Sequence, residues 1–394
     1  MTDIDAQLTA IGHAIADSQH PMKVAETEWA TAELGGGDLV KQDRESTFAA
    51  DDWQRCASRG LLAMKVPESL GGEGADLATT LLRLEGLGKG CRDNGLAFAL
   101  ASQVMSTQEA LVRFASPALQ ERWLPGLMDG SQLGAFAITE PDAGSDAYAM
   151  SATALPDGAG GYVLNGHKAY LTLGSRCDLL IVFASTRPET GRWGLSAFAI
   201  STDLDGVERL PNREKMGMRS TPFGDITLTD VHVPADTLIG REGAGASIFS
   251  AVLEVERSFV FAPAIGATER LLDSVVAYAS ERQQGGHPIG AYQAVSHRIA
   301  DIMQQHETCR LFLYRAAIAS TTGKRVAMSA ALSKLVASEL GVSAALAAAS
   351  IHGARGFLSE FEIERNVRDA IGGVVYSGTS DIQRNIIARL LGVG

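Results

Sequence analysis

Apolar residues change their spacing twice along this chain. Up to about residue 133 they recur every three or four positions, as in Leu77-Ala-Thr-Thr-Leu-Leu-Arg-Leu-Glu-Gly-Leu87 and Leu119-Gln-Glu-Arg-Trp-Leu-Pro125. That is the spacing of helices with one buried face. Pro and Gly interrupt it at Val66-Pro-Glu-Ser-Leu-Gly-Gly-Glu-Gly74, a loop. The pattern then shortens to strand-like runs: Gly161-Tyr-Val-Leu-Asn-Gly166, Leu179-Leu-Ile-Val-Phe-Ala184, Leu195-Ser-Ala-Phe-Ala-Ile200 and Asp225-Ile-Thr-Leu-Thr-Asp-Val-His-Val233. Gly, Asn, Asp and Pro separate these runs, which predicts a small antiparallel barrel or sandwich. From about Gly243 helical periodicity returns and predicts four or five long helices with alanine-rich surfaces that pack closely. The expected fold class is α+β and multidomain. An N-terminal helical bundle would span residues 1–133, a central antiparallel β-barrel 134–242, and a C-terminal four-helix bundle 243–394.

Composition narrows the picture. A chain of 394 residues with 46% hydrophobic content can bury more than one core. A net charge of -12 argues against a nucleic-acid surface, though a small anionic ligand needs only a local cationic pocket. The four cysteines Cys56, Cys91, Cys177 and Cys309 lie far apart, and only His306 is close to one of them. Neither a metal site nor a disulfide framework is indicated, and a reducing, cytoplasmic setting is expected. The run Val326 to Ile351 is weakly charged, but it carries Lys334, Glu339, Gly341 and five serines. It reads as a buried helix, and no membrane insertion is expected.

Candidate chemistry sits in two stretches. Phe136-Ala-Ile-Thr-Glu-Pro-Asp-Ala-Gly-Ser-Asp146 is a polar turn attached to an apolar strand. Tyr376-Ser-Gly-Thr-Ser-Asp-Ile-Gln-Arg384 is a loop feeding a helix, and Ser380 to Gln383 within it reads as an S-x-x-Q capping box. Together they resemble the two signatures of the acyl-CoA dehydrogenase family of flavoproteins. Further landmarks fall in that family's order: Leu164-Asn-Gly-His-Lys-Ala-Tyr-Leu-Thr-Leu-Gly174, Lys215-Met-Gly-Met-Arg-Ser-Thr221, Val231-His-Val-Pro234, Glu281-Arg282, Tyr292-Gln293 and Arg365-Asn-Val-Arg-Asp369.

The resemblance implies FAD and a set of residues that hold it. The strand Phe136 to Thr139 would bring the backbone of Ile138 and Thr139 to the pyrimidine ring. Ser145 would lie where pyrophosphate and pantetheine pass, Tyr170 beside the ring, and Thr172 at N5. Arg282 and Gln293 of a neighbouring subunit would meet the pyrophosphate and adenosine, in a homodimer or homotetramer. Thr379 and Asp381 match contacts of the final loop. Departures from the family stand at Ser350, usually glutamine, at His352-Gly353, usually two glycines, and at Gly285, often aromatic. The implied reaction is α,β-dehydrogenation of an acyl thioester on CoA or a carrier protein, with β-hydride passing to flavin N5. Electron-transferring flavoprotein is the family's usual electron acceptor. Two alternatives stay open: a flavin oxidase or monooxygenase of the same fold, and a non-catalytic relative that binds an acyl carrier.

One departure decides the chemistry. Most of the family has a glutamate, the α-proton base, where this chain has Ser377. A serine hydroxyl is too weak a base at neutral pH, so only its backbone N–H is expected to act, on the thioester carbonyl. A replacement is visible in Ser250-Ala-Val-Leu-Glu-Val-Glu-Arg-Ser-Phe-Val-Phe261. On a helix, Glu256 has Val252, Leu253, Phe259 and Val260 around it, whereas Glu254 has Ser250, Ala251, Arg257 and Ser258. A carboxylate on an apolar face loses solvation, and its pKa rises toward neutrality, as suits a general base. Glu256-Arg257 also matches the position from which isovaleryl-CoA and long-chain acyl-CoA dehydrogenases supply their base. The bland reading is a structural ion pair. Glu254, Arg257, Gly378 and Ser145 are candidate substrate contacts. His167, His232 and His352 show no partner in the sequence and read as structural.

Overall fold

The computed structural model describes residues 3–393, and a long helical first part, a sheet and a helical last part follow one another along the chain. Eight helices precede the sheet: α1 Asp3–Ala16, α2 Pro21–Glu33, α3 Leu39–Glu45, α4 Ala50–Ser58, α5 Leu77–Gly90, α6 Asn94–Ser102, α7 Glu109–Phe114 and α8 Pro117–Met128. Their starts are written locally. Asp76 accepts a hydrogen bond from Thr79 N–H at 2.7 Å, and Asp93 accepts from Gly95 and Leu96. Between α6 and α7 the chain widens into one π-helical segment, Gln103–Gln108, with all six residues buried. Its Gln103 carboxamide donates to Leu127 O at the end of α8 and accepts from Gly134 N–H, the first residue of the sheet.

The sheet contains β1 Gly134–Ala137, β2 Thr153–Pro156, β3 Gly161–Thr172, β4 Leu179–Ser185, β5 Leu195–Ser201, β6 Val207–Arg209, β7 Phe223–Pro234 and β8 Leu238–Ile239. Its order is β6-β7-β3-β2-β4-β5-β8. Most pairs are antiparallel, as expected, but β1 lies parallel on β4, and β2 touches β4 in parallel at Thr153 and Ser185. Register shifts between Leu164 and Gly166 and between Lys168 and Leu171 bend β3. The second shift leaves Tyr170 at φ 60°, in the left-handed region.

The last part holds α9 Gly245–Phe259, α10 Ala262–Glu281, α11 Gln293–Thr322, α12 Val326–His352, α13 Ile363–Gly373 and α14 Ser380–Leu390. The first four are the long helices expected. A two-stranded hairpin, Gln283–Gln284 with His287–Pro288, joins α10 to α11. α10 crosses α5 at very short range. A Cβ at Gly88 would fall 1.9 Å from Pro263 O, and one at Gly266 would fall 2.0 Å from Glu85 O, so only glycine fits at this crossing. α12 is long and apolar enough to cross a membrane. Its Ser329, Ser333, Lys334 and Ser338 are buried in the protein, which matches the reading of this run as a core helix. α14 corrects the capping box by one residue: Thr379, not Ser380, is the N-cap and accepts from Ile382 N–H at 3.3 Å.

Asp369 on α13 ties the parts together. It accepts from Asn94 Nδ2 on α6 at 2.9 Å and from the backbone N–H of Met218, which follows the sheet's sixth strand. The loop that carries Ser377 leaves the end of this anchored helix.

Candidate active site

Glu256 is 8% exposed, with Val252 and Phe259 on α9 and Val260 just past its end buried around it. Ser377 Oγ donates to Glu256 Oε1 at 2.6 Å, and Glu256 Oε2 has no hydrogen-bond partner. Burial pushes the carboxyl above its ordinary range, and the Ser377 bond and the charges of Arg257 and Lys334 pull it back only in part. The result is a desolvated carboxylate with one oxygen free to take a proton. The sequence did not show this contact: the loop brings the Ser377 hydroxyl onto Glu256 from 121 residues away.

The loop is built to hold that contact. Ser377 and Gly378 adopt φ of 58° and 85°, two consecutive left-handed residues. Gln383, fully buried on α14, donates to the carbonyls of both, at 3.3 and 3.0 Å. Tyr376 is clamped between Phe98, 4.5 Å away between ring centroids, and Phe261, stacked at 5.1 Å. Ser377 N–H makes no bond within the chain among the described residues and can still donate to a ligand.

Arg257 and Glu254 lie on the outward side. Arg257 Nε is buried without a partner, and its guanidinium interacts with Glu256, Glu254 and Tyr148. Tyr148, 40% exposed, packs edge-on against Phe249 at 5.6 Å and reaches the surface beside the turn that carries Ser145. Arg257 thus interacts both with the buried Glu256 and with Tyr148 at the surface.

A second group of predicted residues gathers where β1 meets β3. Ala169 N–H donates to Thr139 O at 2.8 Å, and buried Lys168 donates to Ile138 O and to Glu140. Glu140 in turn accepts from Ser151 and Ala152 N–H, which closes the polar turn. Phe136 packs edge-on against Phe183 at 5.1 Å. The Tyr170 ring is 48% exposed beneath Arg213, and its N–H donates to Asp225 at 3.1 Å. His167 has a partner after all, Asp225 at 3.0 Å, across the β3–β7 pair. His352, too, stacks on Tyr278 and bonds to Ala348 O. The hydroxyls of Thr139, Ser145 and Thr172 make no hydrogen bond among the described residues. Free hydroxyls and backbone donors beside an exposed ring fit the pyrimidine edge and N5 of a flavin.

Arg282, Gln293, Ser350 and Gly353 lie elsewhere, at one end of the α10–α12 bundle. Ser350 Oγ accepts from Arg298 at 2.8 Å, and Gly353 holds φ 60°. Arg282 and Gln293 are exposed. No hydrogen bond, ion pair or ring contact joins them to β1 or β3 among the described residues. Thr379 and Asp381 sit beside the Ser377 loop, Thr379 as the N-cap and Asp381 against Arg384. Among the described residues no cluster of His, Cys, Asp and Glu is placed to hold a metal.

Lys334, Gln383 and the Lys168–Glu140 pair were not foreseen. Only the pairing of a buried lysine with a glutamate one strand away could have signalled the last.

Family models for the acyl-CoA dehydrogenase N-terminal, middle and C-terminal domains match residues 27–131, 135–231 and 243–392. The L-prolyl-[peptidyl-carrier protein] dehydrogenase of Pseudomonas fluorescens is 38% identical over 344 residues, 87% of this chain and 90% of that protein. Among solved structures, the prolyl acyl carrier protein oxidase AnaB superposes with a TM-score of 0.93 at 37% identity, over 96% of this chain and 99% of that one. PigA with FAD and proline superposes at 0.91 and 36%, over 96% and 98%. With all three domain models matched in order around a buried glutamate and its serine, the chain belongs to the acyl-CoA dehydrogenase family.

Proposed function

We propose that this protein is an FAD-dependent dehydrogenase that forms an α,β-double bond in an acyl thioester, with Glu256 as the α-proton base. The observation that carries this reading is the buried Glu256 carboxylate, hydrogen-bonded on one oxygen by Ser377 and free on the other. Burial favours the neutral, protonated product of the transfer, so proton abstraction relieves a desolvated charge. Ser377 Oγ orients the carboxylate, while its N–H donates to the thioester carbonyl as negative charge builds there. Arg257, Glu254, Gly378 and Ser145 line the path of the pantetheine arm.

FAD, when bound, supplies the two-electron acceptor for the β-hydrogen. Phe136, Ile138, Thr139, Ser145, Tyr170 and Thr172 would hold its flavin end. Arg282, Gln293, Ser350 and Gly353 of a second copy would hold its adenosine end, with Thr379 and Asp381 nearby. The separation of these two groups within one chain supports a homodimer or a dimer of dimers. The division 1–133, 134–242 and 243–394 is the domain arrangement we assign, and the cytoplasm is the expected compartment.

Likeness to the prolyl-carrier relatives favours a small aminoacyl group, L-prolyl first, on a peptidyl carrier protein. Anaerobic bleaching of the bound flavin tests this. Prolyl-carrier thioester should bleach it fastest, with C4 to C16 acyl-CoAs slow or inactive. Bleaching by acyl-CoA alone would assign CoA esters instead, and no bleaching by any thioester would leave a binding protein. Electron-transferring flavoprotein is the acceptor we expect. The likeness to a structure described as an oxidase supports a second reading, in which stoichiometric peroxide appears in air.

A further inference from the structure

Lys334 is a buried cation with nothing to hold. Its side chain on α12 is fully buried, and Nζ has no hydrogen-bond partner among the described residues. An ammonium in that position is costly unless another charge balances it. Its surroundings point to one. Nζ sits 6.0 Å above the Phe261 ring, within cation–π reach, and Phe261 stacks on Tyr376, the residue before Ser377. α12 packs against α9, the helix that carries Glu256. Two buried groups of opposite charge therefore flank one aromatic stack, and each has an atom without a hydrogen-bond partner.

We propose that Lys334 is a positioning residue for the reaction: its charge keeps Glu256 ionised, and so able to take the α-proton, without touching substrate. The proposal rests on the reading of Glu256 as the base. The other titratable groups around the pair are Arg257 on α9, Glu339 on α12, and the Tyr376 hydroxyl, which burial keeps neutral, with Asp369 behind it. Burial brings Lys334 down to about 8, and the Glu256 charge works against that shift. The Lys334 charge in turn lowers the Glu256 carboxyl, as the coupling requires.

The test follows the Glu256 carboxyl itself. In the FAD-loaded protein its protonation is read by infrared pH-difference spectroscopy, with Glu256→Gln to assign the band, and single-turnover flavin reduction is measured over the same pH range. Lys334→Met should raise the titration midpoint by about one pH unit or more, the scale of one lost opposite charge. It should slow reduction on the acid side, with rates converging where Glu256 is ionised in both proteins. Lys334→Arg should restore the parent midpoint. If Lys334→Met does not fold, Lys334→Gln carries the same prediction. An unmoved midpoint with either neutral variant, or equal shifts with Arg and Met, overturns the proposal. Should Glu256→Gln reduce flavin at the parent rate, the base assignment fails while the midpoint still reports the Lys334 coupling.

Discussion

Two buried glutamates on adjacent helices have opposite fates. Glu269 on α10 is 6% exposed and Glu256 on α9 is 8% exposed. Glu269 is met by Lys23 from α2, Lys89 from α5 at 2.8 Å and His306 from α11 at 3.8 Å. Lys23 and Lys89 hold its carboxyl down at about 2, against the upward push of burial, while burial keeps the His306 imidazole below its ordinary range. Glu256 meets one hydroxyl, and burial wins. Depth alone thus does not make a base. What differs is whether neighbouring helices supply cations in hydrogen-bond contact. Glu269 joins α2, α5 and α10, whereas Glu256 is left with an open oxygen.

Breaking the first site should cost stability, and breaking the second should cost chemistry. Glu269→Ala removes the carboxylate shared by Lys23 and Lys89, leaving them Glu85 at 3.7 Å and Asp273 at 3.2 Å, and should lower unfolding free energy by about 3 kcal/mol in urea titrations. The fraction that stays folded should reduce flavin at the parent rate. Glu256→Gln should slow flavin reduction at least about a hundredfold, close to 2.7 kcal/mol of barrier. It should keep FAD, and its thermal midpoint should hold or rise. The sign follows from linkage: a carboxyl raised by folding is stabilising below its unfolded pKa, and that contribution is lost as pH rises through the folded value. Removing the charge at pH 7 therefore removes a penalty. A parent-like reduction rate in Glu256→Gln, together with loss of reduction in Ser377→Ala, would return the chemistry to the loop.

Ser377→Ala deletes one hydrogen bond to a charged acceptor, worth about 1.5 kcal/mol, or about tenfold in rate. Because that bond lowers the carboxyl, the acid limb of the pH–rate profile should move upward. A profile that does not move would mean the hydroxyl contact is idle. The smallest effect concerns acid stability. Glu269 contributes stability above its unfolded pKa of about 4.3, and loses it as pH falls toward about 2. Glu269→Gln should flatten the fall in urea midpoint over that window, while Glu256→Gln should leave it unchanged.

Periodicity is a local signal, which is why the helix–sheet–helix order was legible and why the apolar neighbours of Glu256 could be named within one helix. The contacts that complete the site are not local. The hydroxyl of Ser377 reaches its carboxylate across 121 residues, and nothing near Ser377 encodes that. Lys334 stands among alanines and serines, so its burial beside Phe261 follows only from how α12 and α9 pack. The parallel seat of β1 on β4 is likewise non-local, and Gln103, 31 residues earlier, holds the strand's first N–H. His167 and Asp225 meet only because β3 and β7 pair in that register.

The π segment Gln103–Gln108 has a consequence for how this chain can change. A helix that widens for one turn accommodates one residue more than an α-helix of the same rise. Deleting one of the six would let the segment close to α geometry at about the same rise and phase, so the helix that follows would keep its place. The change would fall inside the segment, where Gln103 holds Gly134 N–H and Gln108 holds Leu62 O, while Glu109 on α7 would keep its place beside Lys65. Side chains in this stretch can be exchanged within their volumes. Its length can also fall by one residue, and an alignment gap placed there would mark the loss of the widened turn with α7 still in register.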